Sequence, residues 1–426
     1  MTVFRTSVFE KKVKIMANGY NIISGGVTAA KGFQAASTAA GIKYKGRTDM
    51  ALVYSEAPCV SAGVYTTNVV KAAPVLWDKA VTDSDAEVHA VVVNSGIANA
   101  CTGQQGMDIC RATGQAVADI IGGVPENVLV GSTGVIGMQI DTAKIVAGTK
   151  ELMAKKAFGI EAGTEASKAI MTTDTINKEI AVSFEIGGKT VTLGAMSKGS
   201  GMIHPNMCTM LGYVTTDLCI EKKLLQEALS DVVTDTFNMI TVDGDTSTND
   251  TLLILANGLA ENPKIESKGE DYQIFRDALY FVCEHLAKKM AGDGEGATAL
   301  FEAKIINAKS KEDAKTMARA IVGSNLSKAA IYGHDANFGR FLCAMGYSGA
   351  KFDQNDVQLY FESKAGKMLV FDKGTPVPFD EDEAEKILSE NAVTVLVNMN
   401  EGTAVATAWG CDLTYDYVKI NADYRS

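Results

Sequence analysis

A layered α/β (α+β) fold is what this sequence predicts, and three features predict it. Short aliphatic and β-branched runs recur along the chain, amphipathic helical patterns lie between them, and glycine is abundant (40) against 7 proline residues. The strand-like runs are 50–54, 61–66, 88–93, 127–130, 179–186, 190–195, 251–255 and 298–306, with another opening at Thr209 and reaching Thr216. The helical pattern is clearest in GEDYQIFRDALYFVCEHLAKKM, where Phe275, Leu279, Val282 and Leu286 share one face. Helices are also predicted near 106–121, 141–156, 220–237, 310–322 and 380–391; the last carries its acids in the first turn, where they complement the helix dipole. Strands and helices do not alternate regularly enough for a doubly wound sheet. Catalytic groups are therefore expected on glycine-rich loops of a layered enzyme.

Composition narrows the class. Hydrophobic residues make up 46 % of the 426 and charged residues 21 %, as in an ordinary globular protein. The formal charge is −11, from 40 basic and 51 acidic residues, with no basic block, which argues against nucleic acid as a partner while leaving room for small anionic substrates. The 8 cysteines are scattered, without C-x-x-C or zinc-type spacing, and read as reduced, buried thiols of a cytoplasmic protein. No apolar run approaches the roughly 18–20 residues that span a membrane. Residues 1–15 read as neither secretory signal nor transit peptide but as a dispensable tail, with Met16 an alternative start.

Standard catalytic signals are missing. There is no phosphate loop, no G-x-G-x-x-G between strand and helix, and no G-x-S-x-G elbow. DGDTSTND (243–250) fails as a calcium loop, with Thr248 where glycine is needed and Ile254 where glutamate is needed. Of the four histidines, only His204 stands near a candidate site in sequence, as a base of last resort.

That shortage directs attention to KGSGMIHPNMCTML (198–211), where a glycine-rich loop ends at Cys208 and Thr209 opens an apolar run. A threonine hydroxyl needs a base, and its own α-amino group, with a reference pKa of about 7.7–8.0, can serve if threonine begins a chain. The peptide between Cys208 and Thr209 would then have to be cut, by attack of the same hydroxyl on the preceding carbonyl and hydrolysis of the ester formed. The plainer reading, a threonine that merely starts a strand, stays open at this point. VGSTGVIG (130–137) adds a glycine-flanked turn able to aim a hydroxyl and a backbone N–H at a developing oxyanion.

Taken together these segments resemble the glutamate N-acetyltransferase / ornithine acetyltransferase family of arginine biosynthesis, from about residue 18 to Ser426. The likeness rests on GGVTAAKGF (25–33), VVNSGIANACTG (92–103), GSTGVIG (131–137), IMTTDT (170–175), KGSGMIHPNMCTML (198–211), TVDGDTSTNDT (241–251), GDGEGAT (292–298), GHDANFGR (333–340) and INADYRS (420–426), in that order. The resemblance implies a self-processing fold with an N-terminal threonine nucleophile. The chain would be cut into an α chain (1–208) and a β chain (209–426) that associate further, as an α2β2 heterotetramer. Thr209 would accept acetyl from N-acetylornithine and pass it to glutamate by a ping-pong route. No cofactor is implied, and acetyl-CoA is a co-substrate of some members only. Thr133 and Gly134 match the oxyanion pair. One of Thr172 and Thr173, with Lys198, Thr209, Glu295, Asn421 and Ser426, matches the substrate contacts.

The residue chemistry suits those roles. Lys198 can counter an α-carboxylate and Glu295, expected in a flexible segment, an ornithine ammonium, while a polar 421–426 tail would close over the pocket. Cys208, Ile97, His204 and Ser426 depart from the family pattern, and Ile97 puts one polar contact in doubt. Two competing readings are an amidohydrolase or aminopeptidase of related architecture, passing the acyl group to water, and a non-enzymatic binding protein with an intact chain.

Overall fold

The computed structural model describes residues 19–204 and 210–423. Nine strands form the first sheet: β1 (Tyr20–Ile23), β2 (Phe33–Thr38), β3 (Met50–Tyr65), β4 (Val88–Asn94), β5 (Val128–Ser132), β6 (Lys178–Ile186), β7 (Lys189–Lys198), β8 (Leu211–Thr216) and β9 (Thr251–Ala256). Their order is β1-β6-β7-β8-β9-β3-β4-β5, with β2 beside β3. The β8/β9 and β4/β5 pairs are parallel; the other pairs are antiparallel. Strands from both sides of residue 208 thus interleave in one sheet.

Central position explains the unbroken apolar run of β8, in which all six residues are buried. Leu211 and Tyr213 face one apolar cluster with Leu253 and Leu255, while Val214 faces another with Leu252 and Ile254. Helices α1 (Ala73–Asp83), α2 (Gly103–Ile121), α3 (Thr142–Lys155) and α4 (Ile160–Ala169) pack on the side of β2, β3 and β5. Helices α5 (Lys222–Asp235) and α6 (Glu270–Gly292) cover the opposite face. Phe275, Leu279, Val282 and Leu286 of α6 are completely buried, because this helix lies between the first sheet and a second one.

The second sheet runs β13-β12-β11-β14-β10-β15, built from β10 (Leu300–Ala308), β11 (Gln358–Ser363), β12 (Gly366–Asp372), β13 (Thr375–Pro376), β14 (Ala392–Asn398) and β15 (Ala404–Cys411). Helices α7 (Lys311–Gly323), α8 (Asn325–Tyr332), α9 (Phe338–Gly346), α10 (Glu381–Leu388) and α11 (Tyr415–Ala422) complete the described chain. Asp380 caps α10 by accepting the Glu383 amide at 3.0 Å, and three acids occupy its first turn.

The sequence expectations need several corrections. The runs 50–54 and 61–66 are one 16-residue strand, β3, whose first part pairs with β4 and last part with β9. The run expected from residue 298 begins at Leu300, because Thr298 gives its amide (2.9 Å) and hydroxyl (2.5 Å) to Asp412. Helix α11 shows no apolar stripe because none of its residues is buried. Cys101 and Cys343 are exposed, against the expectation of buried thiols, whereas Cys59, Cys110, Cys283 and Cys411 are buried. Among the described residues no helix is long and apolar enough to cross a membrane.

Candidate active site

The end of β5 turns at Ser132, where the Thr133 amide donates to the Asn94 carbonyl at 3.0 Å. Gly134 follows at φ +130, and a Cβ there would collide with the backbone of Gly96, so only glycine fits. The Gly134 amide has no acceptor among the described residues. Gly134 and Thr133 line a cavity of about 330 Å³. Asn249 braces this wall: its Nδ2 donates to the carbonyls of Ala98 and Ser132, the latter at 2.8 Å, and its Oδ1 accepts the Thr248 hydroxyl at 2.6 Å. Ile97 packs in an apolar cluster and offers only its carbonyl, which accepts Asn94 Nδ2 and Ser132 Oγ at 2.8 Å each. The polar contact put in doubt at this position is thus not supplied by the Ile97 side chain.

The facing wall is held by charge. Lys198, the last residue of β7, donates from Nζ to Thr172 Oγ1 at 2.8 Å and Thr133 Oγ1 at 3.3 Å. Burial lowers its pKa, and the carboxylates of Asp174, Glu295 and Asp250 oppose that fall. Behind it, Lys178 lies fully buried between Asp174 (2.7 Å) and Asp293 (2.5 Å). Asp174 also accepts the amides of Thr172 (3.0 Å) and Gly199 (2.8 Å), while Asp293 accepts the amide and hydroxyl of Thr175. One ammonium therefore fastens three segments of the wall. Burial pushes the Asp174 carboxyl up, but Lys198 and Lys178 prevail and hold it at about 2.

Glu295 is buried, not a flexible loop acid as the glycine-rich sequence suggested. Its amide donates to the Ser200 carbonyl at 3.0 Å, and Gly201 lies so close that a Cβ would strike its carboxylate. Asn421 reaches it from helix α11, not from an irregular tail, with Nδ2 2.7 Å from Glu295 Oε2. Thr133, Gly134, Thr172, Thr173, Lys198, Glu295 and Asn421, far apart in sequence, all line this one cavity. Cys208, Thr209 and Ser426 lie outside the described residues.

The described flanks of 205–209 are both anchored to the 241–251 segment. Asp243 accepts the amides of Met202 (2.6 Å) and Ile203 (2.9 Å), and the Ile203 carbonyl accepts the Val242 amide at 2.6 Å. On the other flank, the Met210 carbonyl accepts the Thr251 amide at 2.8 Å. His204, the candidate base, faces away: Nδ1 lies 3.0 Å from Thr241 Oγ1 and Nε2 3.1 Å from an Arg319 nitrogen, beside a different cavity. Burial and then Arg319 lower its pKa.

The residues that sequence reasoning missed are Asp174 and Lys178 behind the cavity and Asn249 and Asp250 in its lining. Asp174 and Asn249 sit inside blocks already noticed, but Lys178 looks like an ordinary strand lysine. Asp250 lines the cavity and is 2 % exposed, with no hydrogen-bond partner for Oδ2 among the described residues. Burial raises its pKa well above the usual carboxylate range, against the hydroxyls of Ser247 and Thr66, the Lys198 charge and the Met210 amide.

A cavity on a mixed layered fold, with an oxyanion-type turn on one side and a buried ammonium and carboxylate on the other, defines an acyl-transfer class of site. The ArgJ family model matches residues 34–426. The arginine biosynthesis bifunctional protein ArgJ of Symbiobacterium thermophilum is 52 % identical over 406 residues, 95 % of this chain and 99 % of that protein. Its namesake in Bacillus subtilis is 46 % identical over 404 residues, 95 % of this chain and 97 % of that protein. Among solved structures, the Bacillus halodurans bifunctional protein ArgJ is 46 % identical with a TM-score of 0.48, covering 50 % of this chain and 99 % of that one. The chain belongs to the ArgJ family.

Proposed function

We propose that this protein moves the acetyl group of N2-acetyl-L-ornithine to L-glutamate through an acetyl-enzyme, in the arginine biosynthesis for which its relatives are named. The observation that carries the reading is the convergence of Thr133, Gly134, Lys198, Glu295 and Asn421 on one cavity lined also by Met210, the residue after Thr209. The chain first cuts itself: the Thr209 hydroxyl attacks the Cys208 carbonyl, the amide becomes an ester, and water hydrolyses it. Residues 1–208 and 209–426 then form one α/β pair, and two pairs associate as α2β2 in the cytoplasm.

In the transfer, Thr209 Oγ attacks the acetyl carbon and its proton passes to the free α-amino group. Thr133 Oγ1 and the Gly134 amide stabilise the oxyanion. The C–N bond breaks and ornithine leaves with the proton. Glutamate then attacks the ester with its α-amine and restores the hydroxyl. Thr172, with Thr173 beside it, Lys198 and Ser426 face the amino-acid carboxylate and amide, and Glu295, held by Asn421, meets the ornithine ammonium. No cofactor takes part. Acetyl-CoA serves as a second donor to the same hydroxyl, in keeping with the word bifunctional in the relatives' names.

The test is product formation with and without glutamate. Acetylglutamate appearing in step with ornithine release supports the reading. Acetate formed at the same rate whether or not glutamate is present would make the protein an amidohydrolase instead.

A further inference from the structure

The cavity, about 330 Å³, suits an acetylated amino acid, and the bulky nucleotide carrier of a thioester donor calls for a surface beyond it. One surface segment meets both cavity walls from outside. Arg47 donates to the carbonyls of Met171 (2.9 Å) and Thr172 (3.0 Å) on the charged wall. Lys43 lies against Gly96, whose backbone abuts Gly134 on the other wall. The root of this segment is rigid: Asp49 accepts the amides of Ala40 (2.8 Å) and Ile42 (2.6 Å), and Lys144 donates to the Gly41 carbonyl at 2.6 Å.

The segment is also out of character for a chain of net charge −11. Lys43, Lys45, Arg47 and Lys144 form no ion pair with a carboxylate among the described residues, and the 43–47 stretch itself contains no acid. Between them Tyr44 is 40 % exposed, with Lys43 Nζ 4.6 Å from its ring centre. Uncompensated cations beside an accessible aromatic ring suit phosphates and a purine, through charge-assisted hydrogen bonds and stacking.

We propose that the 43–47 segment, with Lys144, is the docking site for the phosphorylated nucleotide end of acetyl-CoA, whose acetyl end enters the cavity. The inference rests on acetyl-CoA being a donor, as stated above. Amino-acid substrates, contained in the cavity, do not use it.

The test compares three donors on the full-length protein and on two variants, Lys45→Glu and the double variant Lys43→Gln/Lys45→Gln. Arg47 is left alone because it braces Thr172. The variants should raise KM for acetyl-CoA roughly tenfold or more, the scale of one lost charge-assisted contact. The wild-type KM should climb with salt and the variants' much less. N-acetylornithine and acetyl-N-acetylcysteamine thioester, which carry no phosphate, should keep their KM and kcat and so certify that the variants are folded. An unchanged KM for acetyl-CoA would overturn the site. If the wild type does not turn over acetyl-CoA, inhibition of the acetylornithine reaction by free CoA is read instead. Inhibition that weakens in the variants supports the site while removing the second donor. Its absence in the wild type overturns both.

Discussion

The two walls of the cavity are held by opposite means. Around Thr133 and Gly134 the backbone is held by neutral groups, the Asn94 carbonyl, the Asn249 amide and a close glycine contact, and the one charge that reaches this wall is Lys198 Nζ, 3.3 Å from Thr133 Oγ1. Around Thr172, Lys198 and Glu295 it is ionic, with Lys178 buried between Asp174 and Asp293. Neutral support fixes the direction of the turn's backbone without an ion pair behind it. Ionic support binds three segments with one side chain and leaves Lys198 beside the cavity as a cation facing Thr172. The difference has a consequence: damage to the ionic wall should appear as lost stability, and damage to the neutral wall as lost turnover.

The largest effect should come from Lys178→Met, which leaves two buried carboxylates facing each other. Breaking a buried ion pair on one side costs about 3–5 kcal/mol, so urea unfolding should show a loss of that size. A loss under about 1 kcal/mol would mean that the carboxylates relax to water and the wall is not charge-held.

Thr133→Ala comes next and tests the other wall. The loss of one oxyanion donor slows turnover by about 10²–10³-fold, with the unfolding midpoint nearly unchanged. A much smaller kinetic effect would shift the burden to the Gly134 amide alone. A large stability loss would erase the contrast between the walls.

The third test is pH. Asp174 sits at about 2 in the fold against an ordinary value of 3.8, so the unfolded chain takes up its proton first on acidification. Its contribution, about 2 kcal/mol by linkage, is complete above about pH 4 and lost as pH falls towards 2. The stability gap between wild type and Asp174→Asn should close over that window. A gap independent of pH would deny the charge its role.

The smallest effect is expected from Asn249→Ala, which strands the Ala98 and Ser132 carbonyls. About 1–2 kcal/mol of stability should go, together with a fall in kcat larger than any change in KM, because the turn behind Thr133 loosens. A change in KM alone would place Asn249 in substrate binding.

The sequence carried the layered class, the long helix α6 and the strands flanking the site, because these follow from local apolar periodicity. It also carried Thr133, Gly134, Thr172, Thr173, Lys198, Glu295 and Asn421, through blocks such as GSTGVIG and IMTTDT that stand far apart and converge only in the fold. Long-range polar bonds were not legible. Lys178 stands on the face of β6 that alternation gives to the core, in line with Ile180, Val182 and Phe184, but a lysine at a strand end reads as a solvated charge, and its burial depends on Asp293, 115 positions away. The helical setting of Asn421 was hidden for the opposite reason: α11 buries no residue, so it lacks the apolar stripe that marks a helix. Asp250 stood in plain view within DGDTSTND, yet only the depth of burial sets it apart from its acidic neighbours.

The most direct test of the central claim is the mass of the purified protein, denatured after brief exposure to N-acetylornithine. The account predicts two fragments, 1–208 and 209–426, with one acetyl group on the second and on residue 209. A single uncut chain, or an acetyl group on any other residue, would contradict it.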